Sequence, residues 1–204
     1  PASLFAALFL SLALSLALPG QVTAAECQNA ITVANTADSG PGSLRQAISD
    51  LCPDGVIDFD PVLLTAGSQA AIALTSGELG ITKNMTINGP GADLLAVSGN
   101  NATRIFHIGS GAANVTIDGL TIRNGNGSNG SGGGIYNVGA LTVTNSALLD
   151  NSITGTNRGG ALYNSNIDNQ GQVTLINSIV ANNSSEEHGG GIYTTGTGLV
   201  AITN

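Results

Sequence analysis

The sequence predicts an all-β fold: a parallel β-helix, or solenoid, with a small N-terminal strand-helix cap. Three observations carry this. One phrase recurs as GGGIYN at 132–137, GGALYN at 159–164 and GGGIYT at 189–194, which puts Ile135, Leu162 and Ile192 27 and 30 residues apart. A second recurs in step with it, as ALTVTNS at 140–146, QVTLINS at 172–178 and LVAITN at 199–204, with Asn145, Asn177 and Asn204 32 and 27 residues apart. Both phrases alternate apolar with small polar residues and are rich in β-branched types, the period of a strand, and no helical stripe appears after Asp54. Self-similarity at this spacing means stacked repeats, and the coils are too short for a propeller blade of about 40 residues.

The elements follow in chain order. Residues 4–18 are an apolar run of Leu, Ala, Ser and Phe, followed by small residues in VTAAEC that offer cleavage after Ala24 or Ala25. Residues 1–25 therefore read as a signal peptide truncated at its start, with an uncleaved anchor as the other reading. Residues 26–56 read as the cap. AITVANT at 30–36 is a strand and DSGPG a turn; 43–51 is a short helix with Ser43 as N-cap and Gln46 completing a capping box, and Leu44, Ala47, Ile48 and Leu51 share one face. A solenoid's open apolar end requires such a cover. Cys27 and Cys52 flank this unit, and an even pair in an exported chain implies a disulfide.

Residues 57–204 read as β-helix repeats, cut within a coil at the C-terminus. LGITKNMTIN at 79–88, LLAV at 94–97, RIFHI at 104–108 and NVTIDGLTIRN at 114–124 supply the earlier coils. Stacking places like on like, so Asn145, Asn177 and Asn204 are expected to form an amide ladder, and Tyr136, Tyr163 and Tyr193 a ring ladder. On that reading, Asn177→Asp destabilises the solenoid. The Gly pairs ahead of each Ile or Leu fit sharp corners.

The chain holds 5 Lys and Arg against 13 Asp and Glu, a net charge of −8, which disfavours nucleic acid and anionic lipid as partners. No membrane span is expected in the mature part. GNGSNG at 125–130 matches a dinucleotide-loop pattern, but a strand entry follows it where a helix is required, so it reads as a flexible loop between coils. Asp58 and Asp60 fall on one face of a strand and could pair for acid/base work or hold calcium, the one cofactor the sequence leaves open. Asp118, Asp150, Asp168, Glu186 and Glu187 sit in turns and loops. His107, between Phe106 and Ile108, points out of its coil, and His188 precedes a glycine corner; neither has a nucleophile placed beside it. Stacked tyrosines could touch sugar rings, although a purely structural ladder is the simpler reading. NxS/T triplets begin at Asn84, Asn101, Asn114, Asn126, Asn129, Asn182 and Asn183, as an Asn/Thr-rich composition gives by itself.

ITVANTADSG followed by PGSLRQAIS at 41–49 resembles the segment that opens many large exported bacterial proteins of the CSLREA type, with Gly42 where that motif has Cys. TINGPGADLLAVSGNNATRIFHI is similar to the segment that follows, and the GG(G/A)(I/L)YN and LTVTNS repeats resemble the β-helix array shared with polymorphic outer-membrane proteins and autotransporter passengers of pectin-lyase-like fold. The resemblance implies a right-handed parallel β-helix, exported to the cell surface, outer membrane or medium. It brings no agreed catalytic residues.

Two function classes follow. A secreted or cell-surface structural and adhesive protein, an adhesin whose regular face meets a cell-surface or matrix glycan or protein, fits the leader, the regularity and the lack of a convergent polar cluster. A polysaccharide lyase or glycoside hydrolase is the alternative, because the fold hosts both, yet fold alone does not give function. NTD, DD, GHG and RIK segments of polygalacturonase-like enzymes are missing, and of the cations Arg45, Lys83, Arg104, Arg123 and Arg158 only Arg123 beside Asp118 offers a pairing for chemistry.

Overall fold

The computed structural model describes residues 26–204, apart from 65–66, 113, 128–129 and 167–169. The expected signal peptide, Asn129 and Asp168 lie outside the described residues. The chain enters with β1 (Gln28–Val33), helix α1 (Leu44–Asp50) and β2 (Leu51–Phe59), then a 3-10 turn at Pro61–Leu63. Strands then recur in fixed order: β3 (Ala70–Ala73), β4 (Leu79–Ile81) and β5 (Met85–Asn88), followed by β6 (Leu95–Ser98), β7 (Phe106–Ile108) and β8 (Val115–Asp118). Next come β9 (Thr121–Arg123), β10 (Ile135–Asn137), β11 (Ala140–Thr144), β12 (Ala147–Leu149), β13 (Ser152–Ile153), β14 (Leu162–Asn164) and β15 (Gln172–Ile176). The last are β16 (Ile179–Ala181), β17 (Ser184–Ser185), β18 (Ile192–Thr194) and β19 (Leu199–Thr203).

Every strand pairs in parallel with its counterpart one coil away, giving a parallel β-solenoid with three main faces. Sheet I is β1-β2-β5-β8-β11-β15-β19, sheet II is β3-β6-β9-β12-β16, and sheet III is β4-β7-β10-β14-β18; β13 and β17 form a short fourth pair. The repeated phrases suggest two strands per coil, and the structure has three. β3, β12 and β16 were not legible because an Ala-rich run or a three-residue strand is too short to display alternation. NVTIDGLTIRN likewise splits at Gly119 into β8 and β9 on different sheets.

The corners account for a recurring subset of the asparagines. Gly119, Asn145 and Asn177 occupy one register column after sheet I, all with positive φ (59°, 47° and 47°), and Asn124, Asp150 and Asn182 repeat this after sheet II (53°, 53° and 57°). Left-handed backbone is open to Gly and tolerable for Asn and Asp, and closed to β-branched residues. Before sheet III, Gly132, Gly159 and Gly189 adopt the same region, and a Cβ on the next residue, Gly133 or Gly160, would stand 2.4 or 2.2 Å from a carbonyl of the following coil.

Inside, apolar side chains stack in columns: Ile57, Ile87, Ile117, Val143 and Leu175 on sheet I, and Leu79, Phe106, Ile135 and Leu162 on sheet III. α1 crosses between the parallel neighbours β1 and β2 and packs on β1, β2 and β4, adding Leu44, Ala47, Ile48 and its C-cap Leu51 to the same core. The Ser43 side chain accepts from Gln46 N, as expected of the N-cap. The return arm of the capping box is not made, because Ser43 N already donates to Gly40 O and the Gln46 amide turns to Asp50. β2 runs straight through the expected boundary at 56/57. Cys27 and Cys52 form a disulfide, joining the start of β1 to β2.

Candidate functional site

The outward column of sheet III is the most organised surface. Period-2 alternation buries Phe106 and Ile108, Ile135 and Asn137, and Leu162 and Asn164, which leaves His107, Tyr136 and Tyr163 facing out, with Tyr193 next in register. Parallel in-register stacking brings the rings together. Tyr136 and Tyr163 are 5.3 Å apart at 14°, Tyr163 and Tyr193 5.7 Å apart at 12°, and His107 meets Tyr136 edge-on at 5.1 Å. Offset pairs at such separations contribute about 0.5–1.5 kcal/mol beyond area burial. The ring faces are thus occupied by one another, and the strip shows solvent its edges and hydroxyls. Face-on stacking of a sugar, the contact the sequence left open beside a purely structural ladder, has no free tyrosine face within the stack.

An arginine sits at each end. Arg104 lies over Tyr136 and Arg158 over Tyr193, each 5.1 Å from the ring centre. Arg104 donates to Glu78 (2.6 Å) and to the carbonyls of Ser131 and Gly132, and Arg158 donates to both oxygens of Glu187 and to the Tyr193 hydroxyl. Glu78 also bonds His107 Nδ1 at 3.0 Å. The hydrogen bond to His107, followed by the charge of Arg104, outweighs burial and holds the Glu78 carboxyl below its ordinary value. Burial, with the neighbouring Tyr136 phenol second, raises Tyr163 above the usual phenol value. Both cations are matched by a carboxylate, so the strip is polar and locally balanced in charge.

Sequence reasoning missed a ladder on the inward side of the same strands. The column Ile81, Ile108 continues as Asn137, Asn164 and Thr194. Both asparagines are fully buried. Asn137 Nδ2 donates to Asn164 Oδ1 at 2.8 Å and to the Gly139 carbonyl, and Asn164 Nδ2 donates to Gly171 O and Thr194 Oγ1. Asn137 Oδ1, facing the coil where the column is still Ile, has no partner. The alternation that places Ile135 inside places Asn137 inside too, so the signal was present in IYN. A second amide pair, Asn151 and Asn183, closes the corner after sheet II, with Asn151 Nδ2 donating to Asn183 Oδ1 at 3.0 Å.

The expected ladder of Asn145 and Asn177 differs from this. Both are exposed, and Asn177 Nδ2 reaches Asn145 Oδ1 at only 3.5 Å, while Asn145 Nδ2 donates to Asp118 at 2.8 Å. Asn204 makes no side-chain hydrogen bond among the described residues. The Asn145–Asn177 contact of the expected ladder is thus present but long, and both residues also serve the left-handed corner. The Asp58 and Asp60 pair is not assembled either: Asp58 accepts from Asn88, whereas Asp60 caps the 3-10 turn through Val62 N. Arg123 and Asp118 belong to different sheets and form no ion pair; Arg123 Nε is buried without a partner. Among the described residues, no group of three His, Cys, Asp or Glu side chains converges as a metal site would, and no helix is long and apolar enough to cross a membrane.

Fold and strip together define a parallel β-solenoid that carries a bracketed aromatic ladder on its third face. No family model matches the chain, and neither the curated proteins nor the solved structures gave a match.

Proposed function

We propose that this is a secreted or cell-surface repeat protein with a structural and adhesive role, its third face meeting a cell-surface or matrix glycan or protein. The observation that carries the reading is the His107, Tyr136, Tyr163 and Tyr193 strip, whose hydroxyls and ring edges recur at the coil spacing between two charge-matched arginines. Ring edges and hydroxyls on a rigid repeat suit an extended partner with its own repeat, because similar contacts recur from coil to coil and weak contacts multiply. Export is supported by the leader-like residues 1–25 and by the Cys27–Cys52 disulfide, a bond that persists in oxidising compartments. The resemblance of PGSLRQAIS and the GG(G/A)(I/L)YN coils to bacterial CSLREA-type proteins supports the same setting and a right-handed, pectin-lyase-like β-helix.

The test is binding of the purified protein to immobilised neutral polysaccharides and to fibronectin and collagen, compared with a triple variant carrying Tyr136→Phe, Tyr163→Phe and Tyr193→Phe. The variant keeps the rings stacked and removes only the hydroxyls. Retained thermal unfolding with binding reduced at least about tenfold, one lost 1.4 kcal/mol, is expected. Equal binding by both proteins would overturn the assignment of the strip.

A further inference from the structure

The strip's first end is set by a segment that belongs to no strand. In the outward column of sheet III the position before His107 is Gly80, so no side chain of the column backs that ring. Glu78 orients it instead. One carboxylate oxygen bonds His107 Nδ1 at 3.0 Å and the other accepts from Arg104 at 2.6 Å. Both partners then meet Tyr136, the His107 ring centre and the Arg104 guanidinium carbon each lying 5.1 Å from that ring's centre. Glu78 ends the connection between β3 and β4, residues 74–78. Leu74 N donates to Ser98 O and Leu79 N to Ile105 O, but residues 75–78 make no backbone–backbone hydrogen bond among the described residues. The β-ladder therefore does not place Glu78.

Two side chains of the cap place it. Asp38 Oδ2 accepts from Thr75 N (3.1 Å), the Thr75 hydroxyl (3.1 Å) and Ser76 N (2.7 Å), and Arg45 donates to Gly77 O (2.7 Å) and Glu78 O (2.8 Å). The two are paired with each other at 2.7 Å, and the Asp38 side chain is only 7% exposed. Every residue from 75 to 78 is thus held by this pair. Hydrogen bonds to ionised groups are shorter and about twice as strong as neutral ones, and a guanidinium fork fixes direction as well as distance. The pair is itself anchored. Leu44, Ala47 and Ile48 bury α1 in the core on either side of Arg45, and the turn carrying Asp38 is closed by Ala34 N donating to Gly42 O. We infer that Asp38 and Arg45 are positioning residues for the strip: by holding 75–78 they set where the Glu78 carboxylate stands, and so how His107 and Arg104 meet Tyr136. The cap then orders the contact surface as well as covering the core. The effect on binding rests on the proposed adhesive reading; the geometry does not.

The test is carboxyl-carbon and ring-proton NMR of the whole free protein against pH, for the parent and three variants. Asp38→Ala removes the acceptor, Arg45→Lys keeps the charge and loses the fork, and Val33→Ala loosens buried packing of β1 without touching the pair. In both pair variants Glu78 is expected to titrate closer to the ordinary carboxylate range, because the His107 hydrogen bond and the Arg104 charge that lower it are loosened. The His107 and Tyr136 ring signals should move with it while those of Tyr193 stay. A pair that only fastens the cap would behave like Val33→Ala, with lower thermal unfolding but parent-like Glu78, His107 and Tyr136 signals; that result in the folded pair variants would overturn the positioning role. If Asp38→Ala does not fold, Arg45→Lys decides alone. Retention on whichever immobilised polysaccharide, fibronectin or collagen holds the parent is expected to weaken about threefold or more in the pair variants. Moved ring signals with unchanged retention would support the positioning and count against the adhesive reading.

Discussion

Asparagine does two jobs in this chain, and burial separates them. At the corners, Asn145 and Asn177 are exposed and their left-handed backbone is what selects them, so Asn145→Gly should be close to neutral and Asn145→Val should lose about 1–2 kcal/mol. Asn177→Asp, with only a 3.5 Å amide contact at stake, should lose at most about 0.5 kcal/mol. Asn164 is different because both ends of its amide are bonded inside the core. Asn164→Ala strands partners in the coils on either side and should lose about 2–3 kcal/mol in urea unfolding. Titratable groups add a pH dependence whose sign is fixed. Asp38 is hindered from ionising by burial, but the hydrogen bonds from Ser76, Arg45 and Thr75 win and hold its carboxyl far below the ordinary value, in the same direction as Glu78. Lowered carboxyls contribute stability above the ordinary range of about 4, which is lost as pH falls through the folded values. The raised Tyr163 acts oppositely: its contribution is present below the ordinary phenol value of about 10 and is lost as pH rises through the folded one. Unfolding free energy against pH should therefore fall at both ends, with a shallower acid limb in Glu78→Gln and a shallower alkaline limb in Tyr163→Phe.

Strands and their columns set the next scale. Along the inward column of sheet III the switch from Ile to Asn occurs between Ile108 and Asn137, and it leaves Asn137 Oδ1 unpaired. An amide introduced directly beneath could donate to that oxygen, whereas one a coil further away meets only Ile. Ile108→Asn should consequently be less destabilising than Ile81→Asn, by about 1 kcal/mol, and equal losses would deny that the orphan carbonyl matters. α1 is held at three points: the disulfide, the Arg45–Asp38 pair with Arg45 also donating to the carbonyls of Gly77 and Glu78, and Lys83 donating to the carbonyls of Ser49 and Leu51. Replacing Cys27 and Cys52 together by Ser should lower stability by about 3 kcal/mol in the chain-entropy account, with amide exchange accelerating first in β1 and α1. The sequence made the sheet I and sheet III strands readable because their five- and three-residue runs carry repeated phrases. Sheet II was only partly legible, through LLAV and the second half of NVTIDGLTIRN, since Ala147–Leu149 and Ile179–Ala181 are three residues long and their burial does not alternate.

For the molecule as a whole, parallel in-register stacking multiplies any single outward residue into a column, and this one rule yields both the core and the surface. It made the tyrosine strip legible from three copies of one phrase. It could not announce Arg104, Arg158, Glu78 and Glu187, which reach the strip from loops that share no phrase with one another and so give no periodic signal. The same rule governs charge: along one edge of sheet I, Asp58 is bonded by Asn88 and Asp118 by Asn145, so that no two carboxylates stack. A solenoid built this way needs few charges, and only 9% of residues carry one. On the proposed reading its regular third face is the contact surface. Hydroxyl-radical footprinting of the protein, free and bound to whichever immobilised polysaccharide or matrix protein retains it, tests this directly. Protection of Tyr136, Tyr163, Tyr193 and His107 on binding, with sheet II unchanged, is the predicted result; undiminished labelling of all three tyrosines in the bound protein would contradict it.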